Sequence, residues 1–366
     1  MDDSPPIPDP LPRVYSTRAR RMARPRWPVP RLPTAGGLAK WLGLRVAELD
    51  WFADIQGRAA DQPPGPLRHY HSCLIPKRGG KYRLIESPKA RLKAVQRRIL
   101  AEILDYIPPH DSAHGFRRGR SIVSFAAPHA ARRIVLHLDL CDFFPSVPAA
   151  RVHALFRVAG YPLRVARLLT GLCTTVTPAD AFPEDFGATA AGWKLRQRFS
   201  GRHLPQGAPT SPSLANLCAF HLDVRLARLA ASLGAVFTRY ADDLAFSGDE
   251  SFERGIKRFH VQACCIALEE GFEVRTRKTR FMRQGVRQQL AGVVVNVHPN
   301  VCRSEVDRLK AILTNCARHG PAGQNRDGHP DFRAHLLGKV AHTAMLNPER
   351  GRKLRALFDL ISWDER

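Results

Sequence analysis

Leu138-Asp139-Leu140-Cys141-Asp142-Phe143-Phe144-Pro145-Ser146 follows directly on Ile134-Val135-Leu136-His137, so a short apolar run ends on a carboxylate. Such a run reads as a buried strand with Asp139 at its exit. Asp242 comes 103 residues later, in Phe237-Thr238-Arg239-Tyr240-Ala241-Asp242-Asp243-Leu244-Ala245-Phe246-Ser247, which reads as a hairpin whose turn holds Ala241, Asp242 and Asp243. Consecutive residues on a straight strand point to opposite faces, so only a tight turn lets Asp242 and Asp243 lean toward one site. Between the two strands lies Leu204-Pro205-Gln206-Gly207-Ala208-Pro209-Thr210-Ser211-Pro212. Carboxylates delivered by separate strands suit nucleotidyl transfer, in which two divalent ions neutralise a triphosphate and activate a hydroxyl. Asp139, Asp242 and Asp243 are the candidates.

The balance of charge points the same way. Lys and Arg number 57 against 33 Asp and Glu, a formal net charge of +24 over 366 residues, which implies a polyanionic partner. No apolar run reaches the roughly eighteen residues of a membrane span, so nucleic acid is the better reading than a membrane. Eight cysteines (Cys73, Cys141, Cys173, Cys218, Cys264, Cys265, Cys302, Cys316) are scattered without a Cys-x-x-Cys pair, which fits a reduced, cytoplasmic compartment. His69, His71 and Cys73 alternate as ligands on a strand do, but no second set with zinc spacing follows, so they read as an ordinary strand.

Residues 1–33 are crowded with Pro and Arg and read as a disordered basic arm. Apolar spacing from Leu38 to Phe52 predicts one or two short helices. Cys73 to Ile85 holds two strand-like runs around Gly79-Gly80, a hairpin signal, and Lys81, Arg83 and Ile85 share one face of its second arm. Two cations side by side there suit a triphosphate. A helical stretch from Ala90 to Ile107 follows. After the Gln206-Gly207 loop, Leu214, Leu217, Cys218, His221 and Leu222 fall at helical spacing and are expected in the core. Ser304 and Asp307 resemble a capping box before another helix, and two more runs, Asp331 to Met345 and Glu349 to Ile361, complete a small bundle. Lys339, Arg350, Arg352, Lys353 and Arg355 on that bundle are candidates for tracking an RNA backbone.

Taken together, these motifs make the chain resemble a bacterial retron-type reverse transcriptase from about Leu38 onward. In that family the Asp-x-x-x-Phe-Phe-Pro-Ser strand, the Leu-Pro-Gln-Gly-Ala-Pro-Thr-Ser-Pro loop and the Tyr-Ala-Asp-Asp turn occur in this order, and all three stand here unbroken. Two elements depart from the family's pattern. Phe125-Ala126-Ala127-Pro128-His129 stands where Asn-Ala-x-x-His is typical, and Leu290-Ala291-Gly292 where Val-Thr-Gly is typical. The resemblance implies an α+β right hand: N-terminal helices and fingers over 34–132, an antiparallel palm over 133–296 and a helical, RNA-binding thumb over 297–366. Group II intron-like enzymes, untemplated defence polymerases and a catalytically silent RNA-binding scaffold are the alternatives.

By the same resemblance, Asp139 and Asp242 hold two Mg²⁺ ions, or Mn²⁺, with a main-chain oxygen near Leu140 and with Asp243 as the weaker ligand. Lys81 and Arg83 meet the incoming triphosphate, Gln206 and Gly207 its sugar and base pair, and Lys278 protonates the departing pyrophosphate. Phe144, five residues after Asp139, lies beneath the sugar and excludes a 2′-hydroxyl. The implied partners are a structured noncoding RNA serving as template and primer, dNTPs, an RNA–DNA hybrid product and a separate effector protein in antiphage defence.

Overall fold

The computed structural model describes residues 22–77, 81–183, 186 and 190–363. Most of the arm (1–21) and the Arg78-Gly79-Gly80 turn lie outside the described residues. In chain order the elements are α1 (Ala35–Leu42), α2 (Val46–Ala53), β1 (Tyr70–Lys77), β2 (Lys81–Pro88), α3 (Ala90–Glu102), α4 (Ile122–Ala126) and β3 (Ile134–Asp139). Four helices follow: α5 (Ala149–Val158), α6 (Leu163–Cys173), α7 (Ala190–Ser200) and α8 (Ser211–Cys218). Next come α9 (Phe220–Ser232), β4 (Val236–Tyr240), β5 (Asp243–Gly248), α10 (Glu250–Glu269), β6 (Arg280–Arg283), β7 (Gln289–Leu290) and β8 (Val293–Val294). The chain continues through α11 (Arg303–His319), α12 (Phe332–Leu346) and α13 (Pro348–Asp359). Two compact units result, one from Met1–Pro108 with Val147–Leu214, the other from Pro109–Ser146 with Ala215–Arg366.

In the first unit β1 and β2 form an antiparallel hairpin, in register from Tyr70 opposite Pro88 to Lys77 opposite Lys81. Helix α6 is buried from Leu168 to Cys173, a stretch of apolar and small residues with no charge, and Gly171 lets α2 approach so closely that a Cβ there would collide with the Ala53 carbonyl. Gln96 of α3 spans the interior, donating to the Tyr70 hydroxyl at 2.9 Å and the Leu172 carbonyl at 2.8 Å. Order begins earlier than composition suggested. The Ala23 N–H donates to the Gly160 carbonyl, and Val29 and Leu32 are buried, so part of the Pro/Arg-rich arm packs through its few apolar residues.

The second unit is built on an antiparallel four-stranded sheet in the order β4-β5-β3-β6. Period-two alternation divides its residues cleanly between two faces. Ile134, Leu136 and Leu138 of β3 share a face with Leu244 and Phe246 of β5 and with Phe237 and Arg239 of β4. On that side Phe246 stacks on Phe237 and meets Phe259 of α10 edge-on. The opposite face carries Val135, Ala245 and Met282 into a core shared with α11, α12 and α13, through Leu309, Leu313, Leu336, Val340, Leu354 and Phe358. It also carries His137, Asp139 and Asp243. Buried His129 crosses this face: Thr238 Oγ1 donates to the Phe125 carbonyl at 2.9 Å, so it accepts from His129 Nε2, and Ser247 meets Nδ1, each contact at 2.7 Å.

Two local expectations change. The run from Leu214 to Leu222 is two helices, α8 and α9, separated at Ala219; Leu214, Leu217 and Leu222 are buried as expected, whereas His221 is exposed. Helix α11 starts at Arg303 with Cys302 as its N-cap, so Ser304 lies inside the first turn and Asp307 pairs with Arg303 at 3.6 Å instead of closing a capping box. The hairpin of β7 and β8 turns on Ala291 and Gly292, both with positive φ (45° and 86°), the signature of a type I′ turn.

Candidate active site

Strand pairing assembles the acidic centre within the second unit. Asp139 at the end of β3 stands directly opposite Asp243 at the start of β5, and the Leu140 N–H donates to the Asp242 carbonyl at 2.9 Å. Ala241 makes the turn with φ of 54°, a left-handed conformation that is costly for a residue with a Cβ. A buried ion pair underlies it. Arg239 and Asp223 of α9 are both fully buried; Arg239 donates two 2.6 Å hydrogen bonds to the Asp223 carboxylate, and its Nη1 also donates to Asn216 Oδ1 at 2.9 Å and to the Ala241 carbonyl at 3.1 Å. Asn216 in turn donates to the Gly115 carbonyl at 2.7 Å, and a Cβ on Gly115 would stand 2.7 Å from the Ala241 nitrogen. The turn is therefore held from two sides.

Each carboxylate has its own surroundings. Lys278 Nζ lies 2.6 Å from Asp139 Oδ2, and Arg275 Nε lies 3.3 Å from Oδ1 but off hydrogen-bonding geometry, leaving that buried oxygen without a hydrogen bond. Asp243 accepts from His137 Nε2 at 2.8 Å. Burial, followed by the nearby charges of Asp243 and Asp139, pushes the Asp242 carboxyl above its ordinary pKa, against the pull of its own backbone and of Lys278. Among the described residues no three His, Cys, Asp or Glu side chains converge into a ready-made metal set. The donors nonetheless suit a hard divalent cation, which takes carboxylate and carbonyl oxygens. A buried Asp139 oxygen without a hydrogen bond, and a buried Asp242 beside two other carboxylates, both mark where such an ion would be stabilised.

Phe144 is half-buried, its ring 6.1 Å from that of Phe116 and 5.7 Å from that of Phe143. Arg350 on α13 is half-buried and Arg352 is exposed, whereas Lys353 pairs with Glu349 at 2.7 Å and Arg355 with Asp359 at 2.9 Å. Two of these four cations are thus already neutralised on their own helix.

In the first unit Arg83 of β2 is exposed, and Lys81 begins the same strand. The Gln206 carbonyl accepts from the Glu86 N–H at 2.9 Å, tying the Gln206 loop to β2. Gly207, with φ of 140°, has no room for a side chain: a Cβ would lie 2.9 Å from the Glu86 carbonyl oxygen. The Glu86 carboxylate is buried, with Thr177 Oγ1 at 2.7 Å and His203 Nε2 at 2.9 Å. His69 is a packing residue, its Nε2 on the Trp51 carbonyl at 2.8 Å.

Sequence reading missed His137, Arg275, Arg239, Asp223 and Glu86. Only His137 left a signal, standing two residues before Asp139 and hence on the same face of the strand.

The profile of the reverse transcriptase (RNA-dependent DNA polymerase) family matches residues 75–303, which include the three motifs, the acidic centre and Lys278. The chain is 41% identical over 329 residues to the Retron Mx65 reverse transcriptase of Myxococcus xanthus, covering 90% of this chain and 72% of that one. It belongs to the retron reverse transcriptases. The Retron Mx162 reverse transcriptase of Myxococcus xanthus is 38% identical, covering 89% of this retron enzyme and 66% of its relative. The Retron Ec86 reverse transcriptase of Escherichia coli is 31% identical over 62% of this chain and 63% of its own. This retron reverse transcriptase is therefore an RNA-directed DNA polymerase, and its α+β fold with an antiparallel sheet is that of the family's right hand. No helix among its described residues is long and apolar enough to cross a membrane.

Proposed function

We propose that this enzyme copies a structured noncoding RNA into DNA, with an internal 2′-hydroxyl of that RNA as primer, so that the product is single-stranded DNA joined to RNA. The observation that carries the reading is the acidic centre: Asp139 opposite Asp243, with Asp242 on the adjoining turn and Lys278 at 2.6 Å from Asp139. Asp139 and Asp242, with the Leu140 carbonyl and with Asp243 in support, are the residues that would hold two Mg²⁺ ions, for which Mn²⁺ could substitute. When bound, such ions neutralise phosphate charge and lower the pKa of an attacking hydroxyl.

The remaining parts belong to the chain itself. Lys81 and Arg83 receive the triphosphate of a dNTP, Gln206 and Gly207 line its sugar and base, and Phe144 occupies the space a ribose 2′-hydroxyl would need. Lys278 carries a proton to the leaving pyrophosphate oxygen, for which an ammonium beside the acidic centre is well placed. Exposed Arg352 and half-buried Arg350, with Lys353 and Arg355 once released from their helix partners, track the RNA backbone. Free thiols at all eight cysteines agree with a reduced, cytoplasmic setting. A role in antiphage defence beside an effector protein is part of the same proposal, and phage plating on cells with and without the locus measures it.

Expression with the native flanking DNA tests the main reading. Single-stranded DNA that co-purifies with the protein, shifts in mobility after RNase and debranching treatment, and is missing from Asp242→Asn is the expected result. DNA insensitive to debranching would remove the 2′-hydroxyl priming.

A further inference from the structure

Glu86 and His203 are each 1% exposed, an ionisable pair sealed inside the first unit with no part in the chemistry at the acidic centre. Alternation along β2 sends Leu84 and Glu86 inward, Leu84 onto Phe182 and Phe199, while Arg83 stays exposed on the other face. Phe199 in turn meets the His203 ring edge-on at 5.0 Å. A carboxyl group buried this deeply needs hydrogen-bond partners of its own. Thr177 Oγ1 donates to its Oε1 at 2.7 Å, and His203 Nε2 meets Oε2 at 2.9 Å. His203 is itself fixed, because its backbone exchanges two 3.0 Å hydrogen bonds with Thr175 and its Nδ1 lies 2.7 Å from the Gly201 carbonyl.

A carbonyl only accepts, so Nδ1 carries a proton, and one further proton lies between Nε2 and Oε2. On either atom it leaves the pair neutral overall, so the arrangement needs hydrogen bonds and not charge. Glu86 also holds the loop through its backbone. Its N–H donates to the Gln206 carbonyl at 2.9 Å, and its carbonyl oxygen stands 2.9 Å from where a Cβ on Gly207 would be. Glu86 thus grips the loop at His203, where it begins, and again at Gln206 and Gly207. Packed apolar residues of the same volume would hold the fold as well. A fully satisfied buried network does something they do not, which is to fix one arrangement of the groups it joins.

We propose that Glu86 and His203 are positioning residues for the incoming dNTP. Their side-chain clasp sets the Gln206–Gly207 loop against β2, the strand that also bears Lys81 and Arg83, and so fixes the spacing between the surface for the base and the cations for the triphosphate. This rests on the nucleotide contacts proposed for Gln206, Gly207, Lys81 and Arg83. Neither member of the clasp touches the nucleotide, so its loss weakens nucleotide binding more than it slows bond formation.

The test is single-turnover addition of one dNTP to a primed RNA template, followed over dNTP concentration, with the melting temperature measured on each preparation. Glu86→Leu keeps the volume and removes the clasp; it should raise the half-saturating dNTP concentration about tenfold and leave the saturating rate within about threefold of wild type. Glu86→Gln should return half-saturation to within about twofold of wild type, since the amide oxygen accepts from Thr177 while the NH₂ donates to the bare Nε2 of a neutral His203. A carboxylate needed for its charge or as a metal ligand would not tolerate glutamine. If Glu86→Leu does not fold, Thr177→Val removes one donor at nearly constant volume and should raise half-saturation about threefold. Wild-type half-saturation in the lesion variant, an equal loss in Glu86→Gln, or slower addition at unchanged half-saturation in step with a lower melting temperature would overturn the proposal. If Gln206→Ala raises half-saturation and Glu86→Leu does not, this inference falls alone. If Gln206→Ala leaves it unchanged, the nucleotide role of the loop falls first and takes this one with it.

Discussion

Replacing Asp223 by alanine tests how the acidic turn is held. Asp223 and Arg239 are both fully buried and share two 2.6 Å hydrogen bonds, so the substitution leaves a guanidinium without a counter-charge in the interior. Breaking such a pair costs about 3–5 kcal/mol, and for a unit of this size that corresponds to a melting temperature lower by on the order of 10 °C. The loss should also reach the chemistry, because the same guanidinium donates to the carbonyl of Ala241, whose φ of 54° has to be held in place. Asp223→Leu combined with Arg239→Met separates the two effects. An apolar pair of similar volume is expected to recover most of the stability, yet it offers Ala241 and Asn216 no donor, so primer extension should stay low. Thermal melts and primer extension on the same preparations give both numbers. A stability change under 1 kcal/mol in Asp223→Ala would refute the burial argument, and full activity in the double variant would refute the positioning argument.

Phe144→Ala should raise incorporation of ribonucleotides while dNTP extension persists; an active variant with unchanged discrimination would remove the gate role. Lys278→Ala should change stability by less than about 1 kcal/mol, since the ammonium is half exposed, while slowing single-turnover nucleotide addition by about 10²-fold or more. His129 gives a pH dependence. Burial, then the nearby His114 and Arg132, pushes its imidazole down to about 3, so the unfolded chain takes up its proton near pH 6.5 and the folded chain does not. Stability should therefore fall as pH drops below 6.5, by about 1.4 kcal/mol per pH unit for this residue. Urea melts of His129→Gln between pH 7 and pH 5 should show a flatter dependence than wild type.

Much of the palm was legible because its two signals are local. Alternation over Ile134–Asp139 fixes a strand, and adjacent acidic residues on a hairpin turn need no distant information to be noticed. The supports of those carboxylates were not legible, for a physical reason. Arg239 and Asp223 are 16 residues apart in a chain with 57 basic residues, and nothing local distinguishes a buried ion pair from two solvated charges. Arg275 reaches Asp139 only through tertiary folding. His221 was misplaced because it stands at the edge of the apolar stripe, where helical spacing alone does not decide burial: Leu222 beside it is buried and His221 is exposed. In the arm, Val29 and Leu32 pack despite surroundings dominated by Pro and Arg, so an average over that segment hid the residues that matter.

Strand β3 borders β5 on one side and β6 on the other, and both partners come more than a hundred residues later in the chain. During synthesis the first of the three aspartates is thus made long before the strands that complete its surroundings. Contacts of such separation close slowly, after local helices have formed. Until β5 is made, Asp139 has no acidic neighbours across the sheet, and until β6 is made, β3 keeps an open edge. The centre is assembled late, and a nascent chain that has not reached Asp242 holds only one of its three carboxylates.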